Sequence, residues 1–136
     1  MADVLNTYYA EGLVLPMEDE SKIRQDWLET FRYEGPRQRV CYELKEFAAV
    51  CPFSGLPDTG IVWVGYIPKT KLVELKSLKY YFISFRNVGI FQEAVTARIF
   101  EDLWKLLDPE WLQIRTTYAT RGGIDTICTV DSKDQD

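Results

Sequence analysis

The sequence predicts an α+β domain, with four antiparallel strands in one sheet and two helices on one of its faces. Three observations predict it. Residues 37–68 and 110–130 alternate with a period of two, residues 72–109 place apolar side chains at steps of three and four, and Gly- or Pro-bearing breaks separate the segments.

The first strand is read from Arg37 to Val50, with Val40, Tyr42 and Leu44 on one face and Cys41, Glu43 and Lys45 on the other. The loop "CPFSGLPDTG" follows, then "IVWVGYIP", a β-branched and aromatic run ending at Pro68, which predicts the second strand. "KTK" supplies the turn. Leu75, Leu78, Phe82 and Phe85 mark one face of a helix that Asn87 and Gly89 end. Val95, Ile99, Leu103 and Leu106 mark a second helix, stopped at Pro109. "EWLQIRTTYAT" alternates as a third strand, "RGG" turns the chain, and "IDTICTV" completes the sheet. Residues 1–36 read as an N-terminal extension closed by Gly35-Pro36, residues 37–130 as the domain, and residues 131–136 as a polar tail. A sheet covered on one face has two edges to manage, so assembly of several subunits through those edges is expected.

Composition narrows the chemistry. The 136 residues carry a net charge of -5, so the diffuse positive field of a non-specific nucleic-acid binder is missing and anions must be met locally. There is no histidine, which removes Ser-His-Asp and Cys-His units and imidazole metal ligands; three cysteines without it make a closed zinc site a poor fit. The start "MADVLNTYYAEG" shows no basic region followed by an apolar core. A cytoplasmic protein with free thiols is the expectation.

Three stretches hold candidate chemistry. Cys51 leaves a strand into a Pro- and Gly-rich loop whose far end carries Asp58, either as a buried thiol in a turn or as a nucleophile held near a proton donor. Cys41 and Cys128 read as inert packing residues. In "ELKSLKYY", Glu74, Lys76 and Lys79 are either a solvated charged helix face or two ammonium groups able to hold a phosphate, with Arg121 of "TRGG" as a possible third donor. Glu93, near the start of the second helix, either complements the helix dipole or accepts two parallel N–H bonds from a guanine-like edge.

Together, "CPFSGLPD", "ELKSLKYY", "SFRN" and "TRGG" resemble, in order and relative spacing, the NADPH-dependent 7-cyano-7-deazaguanine reductases, the QueF nitrile reductases of queuosine biosynthesis. The resemblance runs from about Val40 to Val130. It implies the tunnelling fold, in which subunits join their sheets into a barrel with active sites between them. It implies that Cys51 attacks the nitrile carbon to give a covalent thioimide and that Asp58 donates the proton. It further implies that Val73, Glu74, Leu75, Gln92 and Glu93 bind the base, and that Lys76, Lys79 and Arg121 contact the NADPH phosphates. Two departures stand out: Gln92 occupies a position where the family usually has His, and Thr59 one where Phe is common. An amide orients a substrate by hydrogen bonds but does not exchange a proton near neutral pH.

Other readings separate on sequence features. GTP cyclohydrolase I shares the fold but depends on zinc with histidine ligands. Archaeal QueF-like amidinotransferases use the same thioimide on tRNA but lack the NADPH signature that "ELKSLKYY" matches. A non-catalytic purine- or pterin-binding protein has no need to retain both Cys51 and Asp58.

Overall fold

In the computed structural model, which describes residues 12–136, the sheet follows from the alternation. Strands β2 (Val40–Val50), β3 (Pro57–Ile67), β5 (Trp111–Tyr118) and β6 (Ile127–Asp131) pair antiparallel in the order β2-β3-β5-β6. Two short strands, β1 (Thr30–Arg32) and β4 (Lys71–Val73), form a separate antiparallel pair. The helices are α1 (Leu75–Ile83) and α2 (Gln92–Leu107). The mixed α+β class and the four-stranded sheet agree with the periodicities. No helix among the described residues is long and apolar enough to cross a membrane.

Both helices lie on the face to which Val62, Val64, Leu112 and Ile114 point, and they bury Leu78, Phe82, Val95, Ile99 and Leu103 against it. Each such side chain, fully removed from water, contributes about 1.5–3 kcal/mol of transfer free energy. Cys41 points the other way and is exposed, which corrects the expectation that it packs. The helices cover only one face, and Cys41 lies on the face opposite Val40, Tyr42 and Leu44.

Element boundaries shift where one side chain can satisfy a terminus. α1 starts at Leu75 because the Glu74 carboxylate accepts from the N–H groups of Lys76 at 2.7 Å and Ser77 at 2.8 Å. It ends at Ile83, earlier than the periodicity suggests, and successive turns carry the chain to Asn87. α2 stops at Asp108, which takes the left-handed conformation (φ 45°) just before Pro109. β3 begins at Pro57 rather than Ile61, because the pairs Val50 to Pro57 and Ala49 to Asp58 extend the ladder into the predicted loop.

Residues 20–22 and 25–27 form short 3₁₀ turns, and Ile23 and Leu28 beside them are buried in the same core as the helices. At the other end, Asp131 accepts from Trp111 Nε1 and the Gln113 side-chain amide, both at 2.9 Å, so the start of the polar tail is tied down rather than frayed.

Candidate active site

Cys51 sits where β2 and β3 are closed by the loop 51–56. Its N–H donates to the Leu56 carbonyl at 2.9 Å and its carbonyl accepts from Gly55 N–H at 2.7 Å. Gly55 is required twice over: φ is +74°, and a Cβ there would lie 2.5 Å from the Leu15 carbonyl oxygen. The reversal turns the Phe53 and Ser54 N–H groups and the Ser54 hydroxyl toward the Cys51 sulfur, with Arg121 as a further donor. Burial pushes the thiol pKa up, but these donors outweigh it and leave the group below its ordinary value. In a chain without histidine, backbone and guanidinium donors supply the activation.

Asp58 is 4% exposed and points toward the helices from β3. Burial holds its carboxyl above the usual carboxylate range, and Arg121 pulls it back without cancelling the effect. The Arg121 guanidinium donates to Asp58 Oδ1. Arg121 is fixed by a tight turn, in which it and Ile124 exchange backbone hydrogen bonds of 3.0 Å, with Gly122 and Gly123 both at positive φ.

The first turn of α2 completes the site. Gln92 is half-buried and Glu93 exposed. Cys51, Asp58, Gln92, Glu93 and Arg121 line one open cleft of about 370 Å³, with the exposed side chains of Phe91 and Ile124 at its rim. Phe91 meets Phe53 of the cysteine loop edge-on at a ring separation of 5.5 Å. The cleft thus joins an ionisable thiol, a buried carboxyl group faced by a guanidinium, and a second, exposed carboxyl group. That set can add a sulfur to an electrophile, protonate the atom that receives the displaced electron pair, and accept N–H bonds from a heterocycle.

The other predicted residues lie elsewhere on the chain. Val73 is 1% exposed, in the core, whereas Leu75 is 57% exposed. Glu74 and Lys76 line a separate groove of about 620 Å³ with Trp27, Glu29 and Tyr80, and Lys79 is exposed one turn further along α1. The two clefts share no lining residue. Among the described residues neither Lys76 nor Lys79 forms an ion pair, because the Glu74 carboxylate is committed to backbone N–H groups. The groove that Lys76 lines also carries Asp26, Glu29 and Glu74, and Lys79 stands outside it. Sequence reasoning missed Ser54, whose position three residues beyond Cys51 in a Pro- and Gly-bearing turn was the available signal, and the Phe53–Phe91 pair, for which there was none.

Three comparisons bear on this site. A family model described as "QueF-like protein" matches residues 57–136. Proteins of Thermotoga petrophila and Thermotoga maritima named NADPH-dependent 7-cyano-7-deazaguanine reductase are each 49% identical over 124 residues, covering 90% of this chain and 90% of theirs. One of the same name from Caldicellulosiruptor bescii is 50% identical over 107 residues, covering 77% of this chain and 82% of its own. The crystal structure of the archaeosine synthase QueF-Like in the apo form superposes with a TM-score of 0.63 at 21% identity, over 73% of this chain and 96% of that one, a likeness of fold alone.

Proposed function

The chain belongs to the family of NADPH-dependent 7-cyano-7-deazaguanine reductases, and we propose that it reduces the nitrile of 7-cyano-7-deazaguanine to an aminomethyl group, in queuosine biosynthesis, by way of a thioimide on Cys51. The observation that carries the mechanism is the meeting of a thiol of lowered pKa with a carboxyl of raised pKa in one cleft.

The Cys51 thiolate adds to the nitrile carbon, forming a C–S bond. The π pair displaced onto nitrogen takes the proton of Asp58, so a neutral thioimide forms and Asp58 becomes a carboxylate already faced by Arg121. Glu93 accepts the N–H and amino donors of the guanine-like edge, and Gln92 orients the base without exchanging a proton. When the C–S bond breaks, Cys51 departs as the thiolate that the Phe53 and Ser54 N–H groups favour. NADPH, when bound, supplies hydride, and a nitrile takes two to become an amine. Lys76, Lys79 and Arg121 would hold its phosphates, the local positive charge that an acidic chain needs.

The separation of the Lys76 groove from the Cys51 cleft within one chain supports a site completed by a second copy, in the manner of a tunnelling-fold barrel. β2 and β6 each have a free edge among the described residues, and Leu75 and Tyr80 beside the lysines are exposed. Val73, Glu74 and Leu75 then lie at that junction, beside the base. Residues 37–130 form the reductase unit, and Ile23 and Leu28 anchor the described part of the extension, residues 12–36, to it. The free state of Cys41, Cys51 and Cys128 supports a reducing, cytoplasmic setting.

Mixing the protein with 7-cyano-7-deazaguanine and NADPH while following nicotinamide absorbance tests this reading. Oxidation of two NADPH per base is expected. An adduct on Cys51 without NADPH loss would instead support transfer or binding.

A further inference from the structure

The loop that carries the thiol and its donors is held from behind by a stretch of the N-terminal extension. Leu15 N–H donates to the Ser54 carbonyl at 2.8 Å. The Leu15 backbone covers Gly55 so closely that a Cβ on that glycine would lie 2.9 Å from Leu15 Cβ, and Gly55 is buried although Phe53 and Leu56 beside it are exposed.

Three residues further on, the same stretch is tied to the core. Glu18 N–H donates to the Asn87 carbonyl at 2.7 Å, and Gly89 N–H donates back to the Glu18 carbonyl at 2.8 Å, a parallel bridge. On its other side the 87–90 segment bonds to the end of β2: Val50 N–H donates to the Val88 carbonyl at 3.0 Å, and Ile90 N–H to the Val50 carbonyl at 3.1 Å. Val88 and Ile90 are buried in the core, so this segment is a fixed rail. Met17 fills the space between rail and loop, because a Cβ on Gly89 would run into its sulfur and would lie 3.5 Å from Pro52 Cα. Residues 15–18 thus join the Cys51 loop to the rail that leads through Phe91 into the first turn of α2, where Gln92 and Glu93 stand.

We propose that residues 15–18 are a positioning strap for the reaction, fixing the Ser54 side of the loop so that the Cys51 sulfur keeps a set place relative to Gln92 and Glu93. Resting on the reductase reading above, this gives part of the extension a role in the covalent step. Leu15 does not line the cleft; it acts through Ser54, whose N–H and hydroxyl face the sulfur. With the peptide between Ser54 and Gly55 held from behind, those donors keep their aim.

The test is Leu15→Pro in the full chain, which removes the N–H that Ser54 accepts, beside Leu15→Ala, which keeps that N–H and the Cβ over Gly55. Alkylation of Cys51 by iodoacetamide is followed across pH by peptide-resolved mass spectrometry, with neither base nor NADPH present. Loss of one hydrogen bond behind the donors predicts for Leu15→Pro a rate at neutral pH lower by about 3- to 10-fold, a midpoint moved to higher pH and an unchanged plateau above it. Leu15→Ala should match the wild type. The other ionisable groups of the cleft, Asp58 on β3, Glu93 on α2 and Arg121 in the glycine turn, are the same in both variants. Adduct formation with 7-cyano-7-deazaguanine should slow by the same factor in Leu15→Pro, while affinity for the base, measured in a Cys51→Ala background, stays level. An unmoved midpoint would overturn the proposal, and a lower melting temperature alongside it would mark a merely structural tether. Equal shifts in the two variants would overturn it as well, since the N–H is then not what acts. If Leu15→Pro does not fold, Met17→Ala carries the same expectation, with Met17→Leu restoring the wild-type midpoint. Because alkylation needs no substrate, a wild type that forms no adduct counts against the reductase reading, while the midpoints still decide the strap.

Discussion

Arg121 donates to the Asp58 carboxylate from a glycine turn 63 residues further along the chain, and it also lies among the donors that favour the Cys51 thiolate. One guanidinium therefore lowers the pKa of both groups that the covalent step uses. In Arg121→Met both should rise. Below its pKa the thiol is protonated and unreactive, so the variant's Cys51 should be alkylated more slowly by iodoacetamide at neutral pH, with its midpoint moved to higher pH. Peptide-resolved mass spectrometry reads this without NADPH, and an unmoved midpoint would remove Arg121 from thiol activation.

Asp58→Asn should spare binding of the base and lower the rate of reduction by about 10²- to 10⁴-fold, the usual contribution of a positioned proton donor. The wild-type rate should fall as pH rises through the raised Asp58 pKa, because the donor form is lost in that direction. The residual activity of the variant should lack that limb. Pre-steady-state rates across pH report both features.

Gly55→Ala should destabilise the fold by about 1–3 kcal/mol, since φ is +74° and the Leu15 carbonyl blocks the new methyl group. It should also slow alkylation of Cys51, because the strain falls on the turn that aims the Phe53 and Ser54 N–H groups. Thermal melting and thiol kinetics on the same sample check both effects. A normal melting temperature would show that the loop yields.

Lys79→Ala should raise the KM for NADPH by roughly tenfold, the scale of one charge-assisted hydrogen bond, and leave the mass of the Cys51 adduct unchanged. An unchanged NADPH dependence would exclude Lys79 from the cofactor's phosphates.

Much of the fold was legible because its strands and helices are amphipathic. The steps between Val95, Ile99 and Leu103 could come only from a helix with one buried face, and all three are buried. Boundaries set by single bonds were not legible: nothing in the periodicity says that Glu74 turns back onto two N–H groups instead of facing Lys76 and Lys79. Similarly, Asp58 sits in the Pro- and Gly-rich stretch that punctuation assigns to a loop, but the ladder from Val50 to Pro57 carries it into β3 and buries it. The meeting of Cys51, Asp58, Gln92, Glu93 and Arg121 depends on strand register, which the sequence only suggests.

The most direct test of covalent activation is the intact mass of the protein incubated with 7-cyano-7-deazaguanine alone. A single added ligand, localised to Cys51 and absent from Cys51→Ala, is the expected result. An unmodified chain that nevertheless oxidises NADPH against the nitrile would contradict the thioimide.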